Sequence, residues 1–247
     1  MPDILGYRKR IGIVVPSTNT VVQPESEELR PQGVTNHVAR IPIKERPLGT
    51  EQAFNEHMET MRSGIGTAID QIVTAKPDHL IMGVALEAFW GGVEAANSLQ
   101  KSLEDRAGVG VSMGSTALVA ALKAFGAKRI AVVTPHQPRG DAMVRQYLEE
   151  AGYEIVRLKG LRCASPIAIA HTPVAEMRAA LRELDGDDVD VLVQTGTNLP
   201  MAHLTVAAEQ WLGKPVLAMN VLTYWDALRR SGITDRVWGH GMLLEQF

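Results

Sequence analysis

The chain has 247 residues, of which 45% are hydrophobic and 21% charged, and its formal net charge is −3. This is the composition of an ordinary globular protein with enough apolar material for a core. No run of Lys or Arg suggests nucleic-acid binding, and the apolar runs end before the roughly 20 residues that a membrane span needs. The single cysteine, Cys163, excludes an internal disulfide. Because no signal-peptide pattern is present, we expect a cytoplasmic protein that binds neither nucleic acid nor membrane.

Apolar runs that predict strands alternate along the chain with amphipathic stretches that predict helices. In the first part of the chain these are a strand at 11–15, a less regular strand at 37–43, a helix at 54–75, strands at 78–83 and 109–113, and a helix at 115–125. In the second part they are a strand at 129–133, a helix at 139–151, a strand at 153–159, a helix at 174–184, strands at 190–194 and 215–219, and a last helix that includes Ala227 and Leu228. Such alternation is typical of parallel sheets flanked by helices.

Three segments of the first part recur in the second part in the same order. They are IGIVVP and IAVVTP at 11–16 and 130–135, DHLIMG and DVLVQT at 78–83 and 190–195, and VGVSMGSTALVAAL and PVLAMNVLTYWDAL at 109–122 and 215–228. We therefore predict an α/β protein of two similar halves, each a parallel four-stranded sheet flanked by helices, related by a pseudo-two-fold axis with a cleft between them. The predicted halves are 1–115, joined by the C-terminal segment 229–247, and 116–228.

Polar and small residues follow the predicted strands, at the edge where parallel sheets bind ligands. Their hydroxyl, amide and backbone N–H groups suit a carboxylate ligand. The candidate binding side chains are Ser17, Thr18, Asn19, Thr134, Thr197 and Asn198. Each of them could instead cap a helix or form a turn. No P-loop or G-x-G-x-x-G pattern occurs, and the histidines lack metal-ligand spacing, so we predict neither a cofactor nor a metal.

The segment PSTNT at 16–20 resembles the opening of the maleate cis-trans isomerases. Together with the arylmalonate decarboxylases, these proteins form one branch of the aspartate/glutamate racemase superfamily. TP at 134–135, TNL at 197–199 and GKPV at 213–216 match the same branch in the same order. The resemblance implies a small carboxylate substrate, held partly by backbone amides near Ala85, Leu86, Gly196 and Thr197. It also implies one catalytic residue from each half and a homodimer or higher oligomer.

The chain departs from this family at both catalytic places. The isomerases and racemases have a cysteine in each half, whereas the decarboxylases keep only the second. Here the two places hold Val84 and Gly196, which correspond under the internal repeat. Neither residue can act as a thiolate nucleophile or base, so we predict that the protein is not a two-cysteine racemase.

Two residues could replace the thiol chemistry. Glu87 lies among apolar neighbours that would raise its pKa and make it an acid or base, although a carboxylate in the first turn of a helix is also favoured by the helix dipole. His136 stands where the family has a Tyr and could transfer a proton near neutral pH, unless it is an exposed loop residue. Cys163 matches neither catalytic place, so we predict that it has no catalytic role.

The sequence favours an isomerase-like or decarboxylase-like enzyme that acts on a small carboxylic acid or dicarboxylate with a non-cysteine acid/base. Two alternatives stay open. One is a hydrolase or hydratase in which Glu87 or His136 activates water. The other is a carboxylate-binding protein that has lost its catalysis.

Overall fold

The computed structural model describes residues 3–247 and contains two parallel sheets of four strands each. The first sheet has the order β2-β1-β3-β4 and consists of β1 (Lys9–Pro16), β2 (Val34–Ile41), β3 (His79–Met82) and β4 (Val111–Met113). The second has the order β6-β5-β7-β8 and consists of β5 (Arg129–Thr134), β6 (Glu154–Gly160), β7 (Val191–Gln194) and β8 (Val216–Ala218). The two orders are equivalent, which confirms the predicted α/β fold.

Helices connect the strands and cover the sheets. In the first half they are α1 (Val22–Glu28), α2 (Glu51–Ile72), α3 (Ala85–Phe89), α4 (Gly92–Ala107) and α5 (Gly114–Ala124). In the rest of the chain they are α6 (Pro138–Glu150), α7 (Pro166–Ala170), α8 (Val174–Leu184), α9 (Ala202–Leu212), α10 (Met219–Arg230) and α11 (Met242–Gln246). The sequence analysis did not identify α1, α3, α4, α7, α9 and α11. No helix within residues 3–247 is both long and apolar enough to cross a membrane.

The longest helix, α2, shows why these segments fold as they do. The hydroxyl of Thr50 accepts a hydrogen bond from the N–H of Ala53 (3.2 Å), which caps the first turn. The buried side chains Phe54, Met58, Met61, Ile65, Ile69 and Ile72 then recur every three or four residues and face the core. The central strands are buried apolar runs, as expected for parallel sheets covered by helices.

The internal repeat extends to hydrogen bonds at equivalent places. Asp78 accepts from the N–H of Arg10, and Asp190 accepts from the N–H of Arg129, both at 2.8 Å. In the same way, Glu104 accepts from the N–H of Val111 and Glu209 from that of Val216, both at 3.1 Å. Each carboxylate fixes the start of a strand in its own half, so the two halves share their side-chain anchors as well as their topology.

Helix α10 follows the last strand of the second sheet, yet it packs against the first half. Asp226 accepts a 2.5 Å hydrogen bond from Ser112 in β4, and the hydroxyl of Tyr224 donates to Asn36 in β2 (2.9 Å). The predicted division of the chain at 115/116 and 228/229 stays a prediction. These contacts nevertheless tie a helix assigned to the second half to the first sheet.

Candidate active site

A cavity of about 90 Å³ lies where the loops after β1 and β3 meet the loops after β5 and β7. Helices α2 and α7 complete its walls. The cavity is therefore built from both halves, at the carboxyl ends of the strands, where ligands bind in parallel α/β folds. Most of the sequence-predicted residues line it: Thr18, Asn19, Ala85, Leu86, Glu87, His136, Gly196, Thr197 and Asn198.

Asn19 and Thr197 form a polar end of this cavity, although 178 residues separate them in the chain. The Asn19 Oδ1 atom accepts from the N–H groups of Val21 (3.0 Å) and Val22 (2.9 Å) and thereby supports the start of α1. Its Nδ2 atom donates to Thr197 Oγ1 over 3.4 Å. An amide nitrogen carries two hydrogens, so one N–H of Asn19 remains for a ligand. The hydroxyl hydrogen of Thr197 is likewise not used in this contact.

The backbone adds further donors to the cavity, from both halves. The N–H groups of Ala85 and Leu86 lie in the first turn of α3, where a helix supplies no acceptor. Those of Gly196 and Thr197 donate to no acceptor within residues 3–247. Together with Asn19, these groups are suited to binding a carboxylate.

Asn198 lines the same cavity, but its hydrogen-bonding groups are occupied. Its Oδ1 atom accepts from the N–H of Thr20 (2.9 Å), while Nδ2 donates to the carbonyl of Pro166 (2.8 Å) and, more weakly, to that of Thr18 (3.5 Å). Thr18 and Thr20 lie in the loop after β1, and Pro166 begins α7 in the other half. Asn198 therefore joins the halves and leaves no amide group free for a substrate.

Two predicted binding residues lie outside the cavity lining. Ser17 is exposed, and its hydroxyl donates to the carbonyl of Ile43 (3.2 Å) and accepts from the same residue's N–H (2.8 Å). Thr134 is fully buried; its hydroxyl donates to Asp141 and accepts from the N–H of His136 (3.1 Å). Both hydroxyls satisfy neighbouring protein groups, and a role for these two side chains in substrate binding stays a prediction.

Glu87 is buried in α3, not on an exposed helix face. Its Oε1 atom accepts a 2.8 Å hydrogen bond from Arg62 Nε, whereas Oε2 is enclosed without a partner. Burial raises the pKa of the carboxyl group, and the Arg62 guanidinium acts in the opposite direction. The Arg62 group lies over the ring of Trp90, 4.1 Å from its centroid, which fixes the guanidinium beside the carboxyl group.

His136 is half-buried after β5, and its Nε2 atom is enclosed without a hydrogen-bond partner. Burial lowers its pKa to about 4, against the opposing effect of the Thr195 carbonyl. The imidazole is therefore neutral at pH 7 and can accept a proton.

A second histidine, His57 in α2, also lines the cavity and was not identified from the sequence. Its side chain is buried, and Nδ1 has no hydrogen-bond partner. Burial lowers its pKa, and the charge of Arg46 adds to this effect. The sequence did contain an indication of this role, because His57 lies on the apolar face of α2 between Phe54 and Met61. A polar residue on such a face is a candidate for an internal site.

Cys163 does not line the cavity. Its Sγ atom lies 3.5 Å from Thr172 Oγ1, and burial raises the pKa of the thiol. A thiol with a raised pKa is a poor nucleophile near neutral pH. In residues 3–247, no cluster of three or more His, Cys, Asp or Glu side chains could hold a metal ion.

The structure also supports the correspondence between Val84 and Gly196. The preceding residues make equivalent bonds, from the N–H of Gly83 to the Val14 carbonyl (2.8 Å) and from the N–H of Thr195 to the Val133 carbonyl (3.1 Å). Both Val84 and Gly196 line the cavity, one from each half. The two places in the repeat that face the cavity from opposite halves therefore lack a thiol.

Comparison with known proteins agrees with this architecture. The maleate isomerase of Nocardia farcinica (strain IFM 10152) is 27% identical over 245 residues, which cover 96% of each chain. The arylmalonate decarboxylase of Bordetella bronchiseptica is 24% identical over 170 residues, which cover 67% of this chain and 70% of that protein.

Solved structures give the same result. The N. farcinica maleate cis-trans isomerase bound to TRIS superposes with a TM-score of 0.88 at 26% identity, over 96% of this chain and 98% of that one. Another structure of that isomerase, with the same TM-score and identity, holds a covalently bound succinylcysteine intermediate and covers 97% of this chain and 99% of its own. Residues 11–244 match the arylmalonate decarboxylase family. The chain therefore belongs to the arylmalonate decarboxylase family, within the aspartate/glutamate racemase superfamily, and lacks the cysteine of both halves.

Proposed function

We propose that the protein is an enzyme that moves a proton at the carbon next to the carboxylate of a small acid, in an isomerase-like or decarboxylase-like reaction. Glu87 and His136 take the place of the two thiols. One observation carries the proposal: Glu87 and His136 line one cavity from opposite halves, and Glu87 Oε2 and His136 Nε2 have no hydrogen-bond partner within residues 3–247. Buried polar atoms are normally satisfied, so two free proton-exchanging atoms in one cavity favour a catalytic use.

The substrate carboxylate would bind at the polar end of the cavity. The free N–H of Asn19, the hydroxyl of Thr197 and the nearby backbone N–H groups would hold the carboxylate. When the adjacent carbon becomes a carbanion, its negative charge spreads onto the carboxylate as an enediolate. Donors already aimed at those oxygens stabilise this charge, which is commonly the largest contribution to catalysis of this kind.

The directions of the two pKa shifts assign the roles. A raised pKa lets Glu87 keep its proton to higher pH, with Oε1 accepting from Arg62 and the proton on Oε2. A lowered pKa leaves His136 unprotonated, so Nε2 acts as the base, and a bound carboxylate would raise its pKa toward neutrality. In isomerisation, Nε2 removes the α-proton and Oε2 delivers one. In decarboxylation, the substrate carries two carboxylates on one carbon. One leaves as carbon dioxide with cleavage of its carbon–carbon bond, the other takes up the carbanion's charge as the enediolate, and Oε2 protonates the carbon.

The relatives support this class of reaction, since the family comprises cofactor-independent isomerases and decarboxylases. A covalent cysteine adduct like that of the N. farcinica isomerase would need a thiol in the cavity, and the only cysteine lies elsewhere. Action without a cofactor, a cytoplasmic location and a homo-oligomeric state remain expectations that belong to this proposal.

The test is exchange of the α-proton in D₂O, followed by NMR over a panel of small carboxylic acids. We expect Glu87→Gln and His136→Asn each to lower the exchange rate by about 10²–10⁴-fold while ligand binding is kept. The exposed residues Glu59 and His171 provide matched controls, as Glu59→Gln and His171→Asn. If both cavity variants exchange at the wild-type rate on a substrate that the wild type turns over, the assignment is wrong.

A further inference from the structure

We propose that Asp141 and Arg162 are positioning residues, which hold His136 in place for its role as the base. This inference rests on the proposed function, because it concerns a residue of the same site. Neither Asp141 nor Arg162 lines the cavity, so neither is placed to contact a substrate. They act through hydrogen bonds that, together with those of Thr134, enclose the backbone of His136.

The backbone of His136 is held on both sides. The hydroxyl of Thr134 accepts from the His136 N–H (3.1 Å) and donates to Asp141 Oδ1. On the other side, Arg162 Nη1 donates to the His136 carbonyl (2.7 Å) and to Asp141 Oδ2. Asp141 therefore joins the two side chains that bind the N–H and the carbonyl of His136, and the four residues form one closed hydrogen-bond ring.

The segment that carries Arg162 is fastened to the loop after β5. The N–H of Leu161 donates to the carbonyl of Thr134 (2.8 Å), and the N–H of Cys163 donates to that of Pro135 (3.0 Å). Arg162 lies between these two bonds with a φ of 58°, in the left-handed region that is uncommon for residues other than glycine. Such a conformation persists where the surroundings require it, and it often occurs beside a functional site.

Two glycines leave room for this arrangement. A Cβ atom at Gly140 would lie 2.7 Å from His136 Cβ, and a Cβ atom at Gly160 would overlap Arg162 Nη1 and lie 2.5 Å from Asp141 Oδ2. The backbone of α6 and the end of β6 thus approach the hydrogen-bond ring as closely as only glycine permits. This close packing limits the movement of the His136 and Arg162 side chains.

The charge of Arg162 acts on His136 as well. Burial lowers the pKa of His136 to about 4, and the charge of Arg162 contributes to this effect. The other ionisable side chains around the site are His57 from α2 and Glu87 from α3, which line the same cavity, and Asp141 from α6. A substitution that removes the charge of Arg162 should therefore raise the pKa of His136, whereas one that keeps the charge should not.

The experiment follows the imidazole signals of His136 by NMR during a pH titration of the protein without ligand. Arg162→Lys keeps the charge but replaces the planar guanidinium, which serves the His136 carbonyl and Asp141 at once, by an ammonium group without that fixed geometry. We expect the signals of His136 to split or broaden while its pKa stays unchanged. Arg162→Gln should disturb the signals and also raise the pKa.

Arg145→Gln is the matched control. The side chain of Arg145 has the same exposed fraction as that of Arg162, 44%, and is likewise paired with a carboxylate, that of Glu149. Because Arg145 neither lines the cavity nor belongs to the hydrogen-bond ring, its substitution should leave the signals and the pKa of His136 as in the wild type.

Kinetics give a second measurement, on the acid of the D₂O panel that the wild type exchanges fastest. Small displacements of a catalytic group can cost about 10²-fold, so both Arg162 variants should lower kcat by at least about tenfold and keep KM within about threefold. If Arg162→Gln does not fold, Arg162→Lys decides the question.

Wild-type signals of His136 in Arg162→Lys would overturn the inference whatever the kinetics, and so would a rise in KM at unchanged kcat. Disturbed signals with a wild-type kcat would overturn it too, unless His136→Asn also exchanges at the wild-type rate. In that case the proposed function fails, because His136 is not the base, while the hydrogen-bond ring still holds the imidazole.

Discussion

Removing the side chain of Asn198 tests whether this residue joins the two halves. Asn198→Ala leaves the N–H of Thr20 and the carbonyl of Pro166 without their partners at 2.9 and 2.8 Å. A buried group left unsatisfied costs about 1–3 kcal/mol, and this applies to the carbonyl of Pro166, because Thr20 is exposed and its N–H can bond to water. We therefore expect the free energy of unfolding to fall by about 1–3 kcal/mol. For a chain of this size, that corresponds to a decrease in Tm of roughly 2–12 °C.

Urea unfolding followed by circular dichroism measures this change. Asn97 is exposed on α4 and offers the matched control, since Asn97→Ala should alter the stability by less than about 0.5 kcal/mol. Asn198→Asp keeps the acceptor for Thr20 but places a buried carboxylate oxygen against the carbonyl of Pro166, so its loss should be at least as large as that of Asn198→Ala. A loss below about 1 kcal/mol for Asn198→Ala would show that Asn198 does not hold the halves together.

Three further changes test the site itself. Arg62→Gln removes the charge that opposes the raised pKa of Glu87, so the pKa of Glu87 should rise further. The alkaline limb of the kcat/KM profile should then move to higher pH, while the acid limb stays unchanged. A fixed alkaline limb would show that Glu87 is not the acid. Gly196→Ala places a Cβ atom 2.5 Å from Pro135 Cγ. Overpacking of this kind should lower the free energy of unfolding, measured by denaturant titration, by about 1–3 kcal/mol. Wild-type stability would contradict the steric argument. Cys163→Ser should leave turnover unchanged, and a loss of more than about 100-fold in a folded variant would reveal a role for the thiol.

The sequence predicted the strands well because their apolar runs are continuous and end at polar loops. Strand β1 was expected at 11–15 and spans Lys9–Pro16, and the helix expected at 174–184 is α8, Val174–Leu184. Three of the helices that were not identified, α3, α7 and α11, have five residues each, too few for a helical period to emerge.

The sequence predicted the site residues that directly follow strands. It predicted less well the site residues that lie in long helices, and it did not predict which hydrogen-bond partners each side chain has. Asn19 and Thr197 were both expected at the binding edge because each follows the carboxyl end of a predicted strand, and they do meet. Sequence could not show that the amide of Asn198 is fully used, because its partners lie 32 and 178 residues away. It also gave no indication that Arg62, 25 residues before Glu87, would pair with it.

The contact between Ser112 and Asp226 has a consequence for how the protein is made. These residues are 114 positions apart, and the helix that carries Asp226 is the last long one in the chain. During synthesis, the first sheet is complete well before α10 leaves the ribosome, so the face that α10 covers stays open to water until α10 has emerged. Because such distant contacts are slow to form, we expect the nascent first half to be the form most prone to aggregation.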